Sequence, residues 1–472
     1  MEKSQEASGV RHALQEPLPE PSSESSPELL TKSNIPTGYY LKYIRYKGQY
    51  HLQEPRYQLK NSLLAAVGFF ELANAGDFAA NVWNSVPIPA YAIALMAIGG
   101  TFALFMTYFA YRDATLSWRN LQGLRCERQF LKGTLKKAEE QQCDQSGELS
   151  ILVKALLDVN HRETGTEIID RLCMDSLMGF GATMVGVGTF LAIGGANHNV
   201  WLASNLLSGY IGNGPLALYG LANLCWSIYV WLRARRHGIS YHAKQTAQVD
   251  KDPTVGKLLK GRIESVRIHA TLNGITGVVA GAASLVTATM WWGYVVLIPC
   301  IIISVVVNYF WRHRLGYDRP LFVEDLPTFD KAAISEELVY IAALERLFLR
   351  STTPVMLASM VSDPQSTTEV IEFLVKHNLF DAFSRRILKD KELSAILFDL
   401  SGTTVTIYPS ALASNSDDSV SRRLLDMAQD CVTEYGLVQL KYRERFLLEI
   451  LGCYLTALNT KITTTHPADN AV

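Results

Sequence analysis

The sequence predicts an all-α membrane protein, a polytopic transmembrane helical bundle with a small cytosolic α-helical C-terminal domain. Three observations lead there. Hydrophobic residues make up 48% of the 472 positions, and the mean hydropathy of +0.09 is high for a chain that also carries polar tails. Six stretches reach the roughly 20 mainly apolar residues that a spanning helix needs. The segments between them alternate between uncharged and arginine-rich, the pattern that sets membrane topology.

The same arithmetic excludes other classes. Lys+Arg at 44 against Asp+Glu at 45 leaves a formal charge of -1, so nothing points to nucleic acid. The seven cysteines show no C-x-x-C pair, which argues against a disulfide scaffold or a zinc module. His237 and His242 have no cysteine or acidic partner at ligand spacing, so neither a metal nor a cofactor is expected.

The chain opens on an acidic leader in which Pro17, Pro19, Pro21 and Pro27 alternate with Glu16, Glu20, Glu24 and Glu28. No apolar signal region follows, so residues 1–38 read as a disordered cytosolic tail. A first membrane hairpin occupies 39–111, with spans over about Ser62–Trp83 and Pro89–Tyr111. A cytosolic helical loop follows over 112–171. The second hairpin covers 172–233, with spans over about Cys173–Ala196 and Gly214–Leu232. Residues 234–269 form a basic amphipathic cytosolic loop. The third hairpin covers 270–312, with spans over about Ala270–Met290 and Gly293–Trp311. Beyond it, Ile334, Leu338, Ile341, Leu344 and Phe348 recur at helical spacing and open a cytosolic helical domain over 313–460. A disordered tail is expected over 461–472.

Orientation follows from charge. The turns Asn84–Ile88, Asn197–Asn213 and Trp291–Tyr294 carry no Lys, Arg, Asp or Glu, whereas every crossing on the other side is basic. Both termini are therefore expected in the cytosol of a eukaryotic endomembrane or plasma membrane. Arg112, Arg233 and Arg312, closing the even spans, read as topology anchors that snorkel to lipid phosphate.

Each hairpin ends on aromatics: Trp83, Trp201 and Trp291 outside, and Tyr108–Arg112, Tyr229–Arg233 and Tyr309–Arg312 inside. Internal triplication accounts for this, and so does the preference of Trp and Tyr for both interfaces. Three hairpins with both ends on one side resemble the mitochondrial carriers, but their Pro-x-Asp/Glu-x-x-Lys/Arg motif is missing from every odd span. Small residues mark those odd spans, with Gly186 in the third and the G-x-x-x-G of Gly277 and Gly281 in the fifth. These glycines are expected to pack helices closely, placing odd helices at the centre and even ones toward lipid.

The sharpest local feature is a polar stripe in the first span. Glu71, Asn74, Asp77 and Asn81 fall on one face of a continuous helix, with Glu71 near mid-span. Intramembrane acids mark proton or cation pathways, or are satisfied by neighbouring hydroxyls and amides. The segment Ile396–Thr403 resembles the first motif of haloacid-dehalogenase-type phosphatases, with Asp399 in the nucleophile's place. Ser401 stands where that family has its second Asp, and the remaining chain is too short for its core. An enzyme is therefore not expected, and no other catalytic spacing is present.

The leading functional expectation is a non-enzymatic membrane scaffold or tether. Its partners would be the lipid bilayer and a cytosolic protein bound by the C-terminal helices, and homo-oligomerisation is compatible with it. The alternative is a transporter or channel-like protein that handles protons or cations along the stripe.

Overall fold

The computed structural model describes residues 40–465 except 54–57, 62, 84–85, 141–143, 247–252, 324–325, 327–329, 351–356, 358–359, 400–401 and 415–416. The leader expected over 1–38 and residues 466–472 lie outside them. The described chain is all-α with two small sheets.

It begins with a hairpin of β1 (Leu41–Tyr46) and β2 (Gln49–Leu52), turned by Lys47 and Gly48 at φ 50° and 79°. β3 (Gln58–Leu59) follows. A 3-10 turn at Ala65–Phe69 leads into two short helices, α1 (Phe70–Asn74) and α2 (Phe78–Val82). Next come α3 (Ala90–Glu140) and α4 (Asp144–Gly165), the latter passing through a π-helical turn at Thr166–Cys173 into α5 (Met174–Ala192). α6 (His198–Asn205) likewise joins α7 (Asn213–Thr246) through a π-helical turn at Leu206–Gly212. α8 (Pro253–Thr287) is followed by α9 (Gly293–Phe310), which ends in a π turn at Trp311–Leu315. β4 (Arg319–Pro320), α10 (Lys331–Arg350), α11 (Thr367–Lys376), α12 (Phe380–Lys389) and α13 (Lys391–Leu397) come next. β5 (Thr404–Ile407), α14 (Pro409–Ala413) and α15 (Asp418–Thr465) complete the order.

Of the six expected spans, five correspond to helices that, among the described residues, are long and apolar enough to cross a membrane: Ala90–Glu140, Gly147–Ala192, His198–Ala243, Pro253–Thr287 and Gly293–Leu315. The expected first span is the exception. Its ladder contracts at the break, where Ala75, Gly76 and Phe78 donate to carbonyls three residues back instead of four. Asn74, Gly76 and Asp77 are poor helix formers, Gly through backbone entropy and the other two through competing side-chain bonds. Gly76 also lies against the backbone of α3, since a β-carbon on Gly99 would sit 2.2 Å from the Gly76 carbonyl oxygen.

The long helices continue far past the apolar runs. At 1.5 Å per residue, the 51-residue α3 is about 75 Å long, more than twice the thickness of a bilayer's apolar core. The span and the charged loop helix read separately from the sequence are one rod. The helix windows of the third and fifth spans, in α5 and α8, are 50% and 44% buried, against 28–33% in α3, α7 and α9. The helices that carry the third and fifth expected spans are thus more buried than those of the second, fourth and sixth.

The residues after 313 divide between two cores, one of them shared with the long rods. Ile334, Leu338, Leu447 and Leu451, from α10 and α15, pack with Leu131, Val153, Val159 and Leu259 on the extensions of α3, α4 and α8. A second core joins α11, α12 and the first half of α15 to Tyr43 of β1. β1 pairs antiparallel with both β2 and β5, with Tyr43 opposite Val405, so the N-terminal strand is stitched to the C-terminal helices. β3 pairs with β4, tying the start of the first hairpin to the end of the third. Of the phosphatase-like stretch, Ile396 and Leu397 end α13, and residues 400–401 lie outside the described ones. α15 is helical to Thr465, past the expected boundary at 460.

Candidate functional site

The break in the first segment positions two acids at different depths. Asp77 is fully buried between α1 and α2. Its Oδ1 accepts from Tyr294 Oη at 2.8 Å, and Asn81 Nδ2 donates to the same hydroxyl at 2.7 Å, while Oδ2 has no hydrogen-bond partner. Phe78 covers Tyr294 edge-on at 4.9 Å between ring centres. Asn81 then lines a cavity of about 260 Å³ on the turn side of the bundle, with Ser204, Asn205 and Thr287.

Glu71, two helical turns away in sequence, is buried and lines a separate cavity of about 100 Å³. Tyr219, Asn223, Asn273 and Asn308 supply further polar walls, and Asp170 and Arg171 close its far end. That volume holds a few waters or a small ion. The π-helical turn at Thr166–Cys173 aims Asp170 and Arg171 into the cavity, a distortion frequent at functional sites. Asp170 Oδ2 accepts from Trp226 Nε1 at 3.0 Å and its Oδ1 has no partner. Arg171 is held by Asp113 through two bonds of 2.9 and 3.2 Å and by Glu167 at 3.2 Å. Asp113 also accepts from the Leu64 backbone N–H, which anchors the start of the broken segment.

Beyond this cavity lies a junction of buried charge. Glu449 of α15 meets three arginines from three rods: Arg162 of α4 at 3.1 Å, Arg233 of α7 at 2.5 Å and Arg262 of α8 at 3.4 Å. Burial pushes the Glu449 carboxyl up, but these guanidiniums outweigh it and hold it well below the usual carboxylate range. Tyr317 bridges Arg162 and Glu163, and Arg319 pairs with both Glu127 and Glu163. The lining beside Glu449 shares Thr166, Asp170, His269, Asn273 and Trp311 with the Glu71 cavity, so the two adjoin across a common wall.

Asp158, His237 and Cys453 place an oxygen, a nitrogen and a sulfur within 4.8 Å of one another, a spacing a metal can use. The Arg233 guanidinium lies 2.7 Å from Cys453 Sγ and 3.1 Å from Asp158 Oδ2. The positive charge among these donors is therefore the chain's own, and the set does not fit a cation.

The expected stripe is divided by the helix break. Glu71 faces one cavity, Asp77 and Asn81 share Tyr294, and the Asn74 side chain lies outside the described residues. Gly186 packs on α3, where its β-carbon would lie 3.0 Å from the Gly100 carbonyl. Gly277 and Gly281 face α7, at Asn223 and at Ala217 Cα respectively. Arg112 is exposed beside Tyr108, and Arg312 is half-buried. Arg233 is corrected. It is buried against Glu449 and Asp158, because a bonded carboxylate inside outcompetes a phosphate outside.

Sequence reading missed Asp170, Arg171, Tyr294 and Asn308. Tyr294 looked like an interfacial aromatic, and the first two sat in a loop. Their one signal was polarity next to an apolar run. In comparisons with family models, curated proteins and solved structures, nothing matches this chain.

Proposed function

We propose that the protein carries protons or small cations across a membrane, along a polar route from the Asn81 cavity past Asp77 to the Glu71 cavity and Asp170. The observation that carries this reading is the broken first segment. Irregular backbone at membrane depth is tolerated only where it is buried in protein or lines a wet cavity, and discontinuous helices are a recurrent element of ion sites in transporters. Here the break sits between two carboxylates, and the inner one faces a cavity with polar walls. Tyr294 and Asn81 are suited to passing or holding a proton at Asp77.

The scaffold reading has less support, because α10 and the C-terminal half of α15 pack in one core with the extensions of α3, α4 and α8. The exposed Leu349 and Ile396 favour it as a second reading. The C-terminal helices would then meet a partner on the cytosolic side.

The test is flux in reconstituted vesicles under imposed pH, K⁺ or Na⁺ gradients. Asp77→Asn and Glu71→Gln should each abolish a flux that wild type shows, with unchanged yield and elution profile. Equal flux in wild type, both variants and empty vesicles would retire the transport reading.

A further inference from the structure

At the membrane boundary of α7 and α8, Trp231 is flanked by two guanidiniums from different helices. Arg267 of α8 lies 4.8 Å above its ring centre, and Arg235 of α7 lies 6.0 Å from it. Both arginines are exposed, and neither is in an ion pair with an acid among the described residues. Exposed arginines elsewhere do find acids, as Arg385 does with Asp381 at 2.8 Å and Arg423 with Asp390 at 2.7 Å. Each guanidinium lies against the Trp231 ring and is left exposed.

Position gives the pair its meaning. Arg233 should supply the interfacial positive charge at this helix end, but it is turned inward to Glu449. Arg235 and Arg267 are left to supply it. Directly below them the same faces are apolar and exposed, through Ile228 and Leu232 on α7 and Ile268 and Ile275 on α8. A paired cation above a greasy strip matches one amphiphile, a phosphate-bearing headgroup over an acyl chain. Indole and guanidinium planes favour the headgroup depth, where a ring and a charge are satisfied together.

We infer that Trp231, Arg235 and Arg267 form a docking site for an anionic phospholipid headgroup of the adjoining leaflet. The site rests on the chain spanning a bilayer, but not on any flux through it. The phosphate accepts from both guanidiniums, and the acyl chains lie along the α7–α8 strip.

The test is native mass spectrometry of the full chain released from nanodiscs of phosphatidylcholine containing phosphatidylserine, counting retained lipids of each kind. Wild type should retain phosphatidylserine selectively. Arg235→Gln with Arg267→Gln should lower that selectivity roughly 30-fold, at about fivefold per interfacial charge. Trp231→Leu should reduce it and Trp231→Phe should preserve it. A charge-matched control, Arg236→Gln with Lys260→Gln, should leave it unchanged, since both residues are exposed away from the stacked pair. The arginine and lysine positions are exposed and Trp231 is half-buried, and unchanged melting curves verify the fold of each variant. Equal selectivity in wild type and the Arg235/Arg267 variant would overturn the site. So would an equal loss in the control pair, which would reduce the effect to general surface charge. Displacement of the lipid by inorganic phosphate at matched concentration would assign the pair to a soluble anion and overturn the lipid assignment.

Discussion

Arg233 Nη1 lies 2.5 Å from Glu449 Oε1, joining a membrane rod to the C-terminal helix across 216 residues of sequence. Arg162 and Arg262 share that carboxylate, so three rods are fastened to α15 at one point. The arrangement fastens one of the two cores of the C-terminal helices to the rods. Their docking brings both a charge lock and the leucines of α15 into the space between the extensions.

Removing the lock should be costly. Glu449→Gln leaves the buried Arg262 without a carboxylate and takes one from Arg162 and Arg233, which keep Glu163 and Asp158, and breaking a buried pair costs about 3–5 kcal/mol. The detergent-solubilised variant should melt well below wild type. A double-mutant cycle with Arg233→Met should give a coupling above about 1.5 kcal/mol, and additive effects would show the contact to be energetically idle.

Stability should depend on pH through a carboxyl pair in the same helix. Burial, with the neighbouring Glu345, raises Glu444 to about 7, while Arg445 and Arg262 pull it down and Lys441 acts on Glu345. A raised folded-state value means the contribution is complete below the ordinary carboxyl range near 4.5 and is lost as pH rises through about 7. The loss is on the order of 2–3 kcal/mol. Glu444→Gln should flatten the melting temperature between pH 5 and 8 (a range of roughly three units around that value) and raise it at the alkaline end. An unchanged slope would remove Glu444 from the pH response.

The N-terminal strand should be integral to the soluble part. Tyr43 is fully buried in the second core, and its hydroxyl donates to Asp381 Oδ1 at 2.9 Å. Tyr43→Phe should cost about 1 kcal/mol for the hydrogen bond, and Tyr43→Ala about 3–5 kcal/mol for the cavity. Protease sensitivity of residues after 357 should rise with the second variant. Equal melting of all three proteins would show the strand to be peripheral.

Two glycines should respond in opposite directions. Gly133 lies in the exposed interior of α3 with nothing within 4 Å of a β-carbon, so Gly133→Ala should stabilise by about 0.5–1 kcal/mol. At Gly281 the same atom would lie 2.7 Å from Ala217 Cα, so Gly281→Ala should push α7 and α8 apart and lower the melting point. Shifts of equal sign, or a Gly281→Ala variant as stable as wild type, would contradict the close approach of these helices.

Much of this fold is written in local chemistry. Apolar runs of span length and the small residues of α5 and α8 each act within a turn or two, so composition alone places five helices long and apolar enough to cross a membrane. Gly76 beside Asp77 also stood in plain view, yet whether a weak helix breaks depends on what packs against it, and Gly99 of α3 decided that. Longer-range partners were invisible for the same reason. An arginine at a helix end looks identical whether it reaches a phosphate or a carboxylate 216 positions away, and only the docking of α15 turned Arg233 inward and left Arg235 and Arg267 at the surface. Burial is a property of the assembled packing, and it converted scattered polar residues into cavities, a charge lock and a shared core.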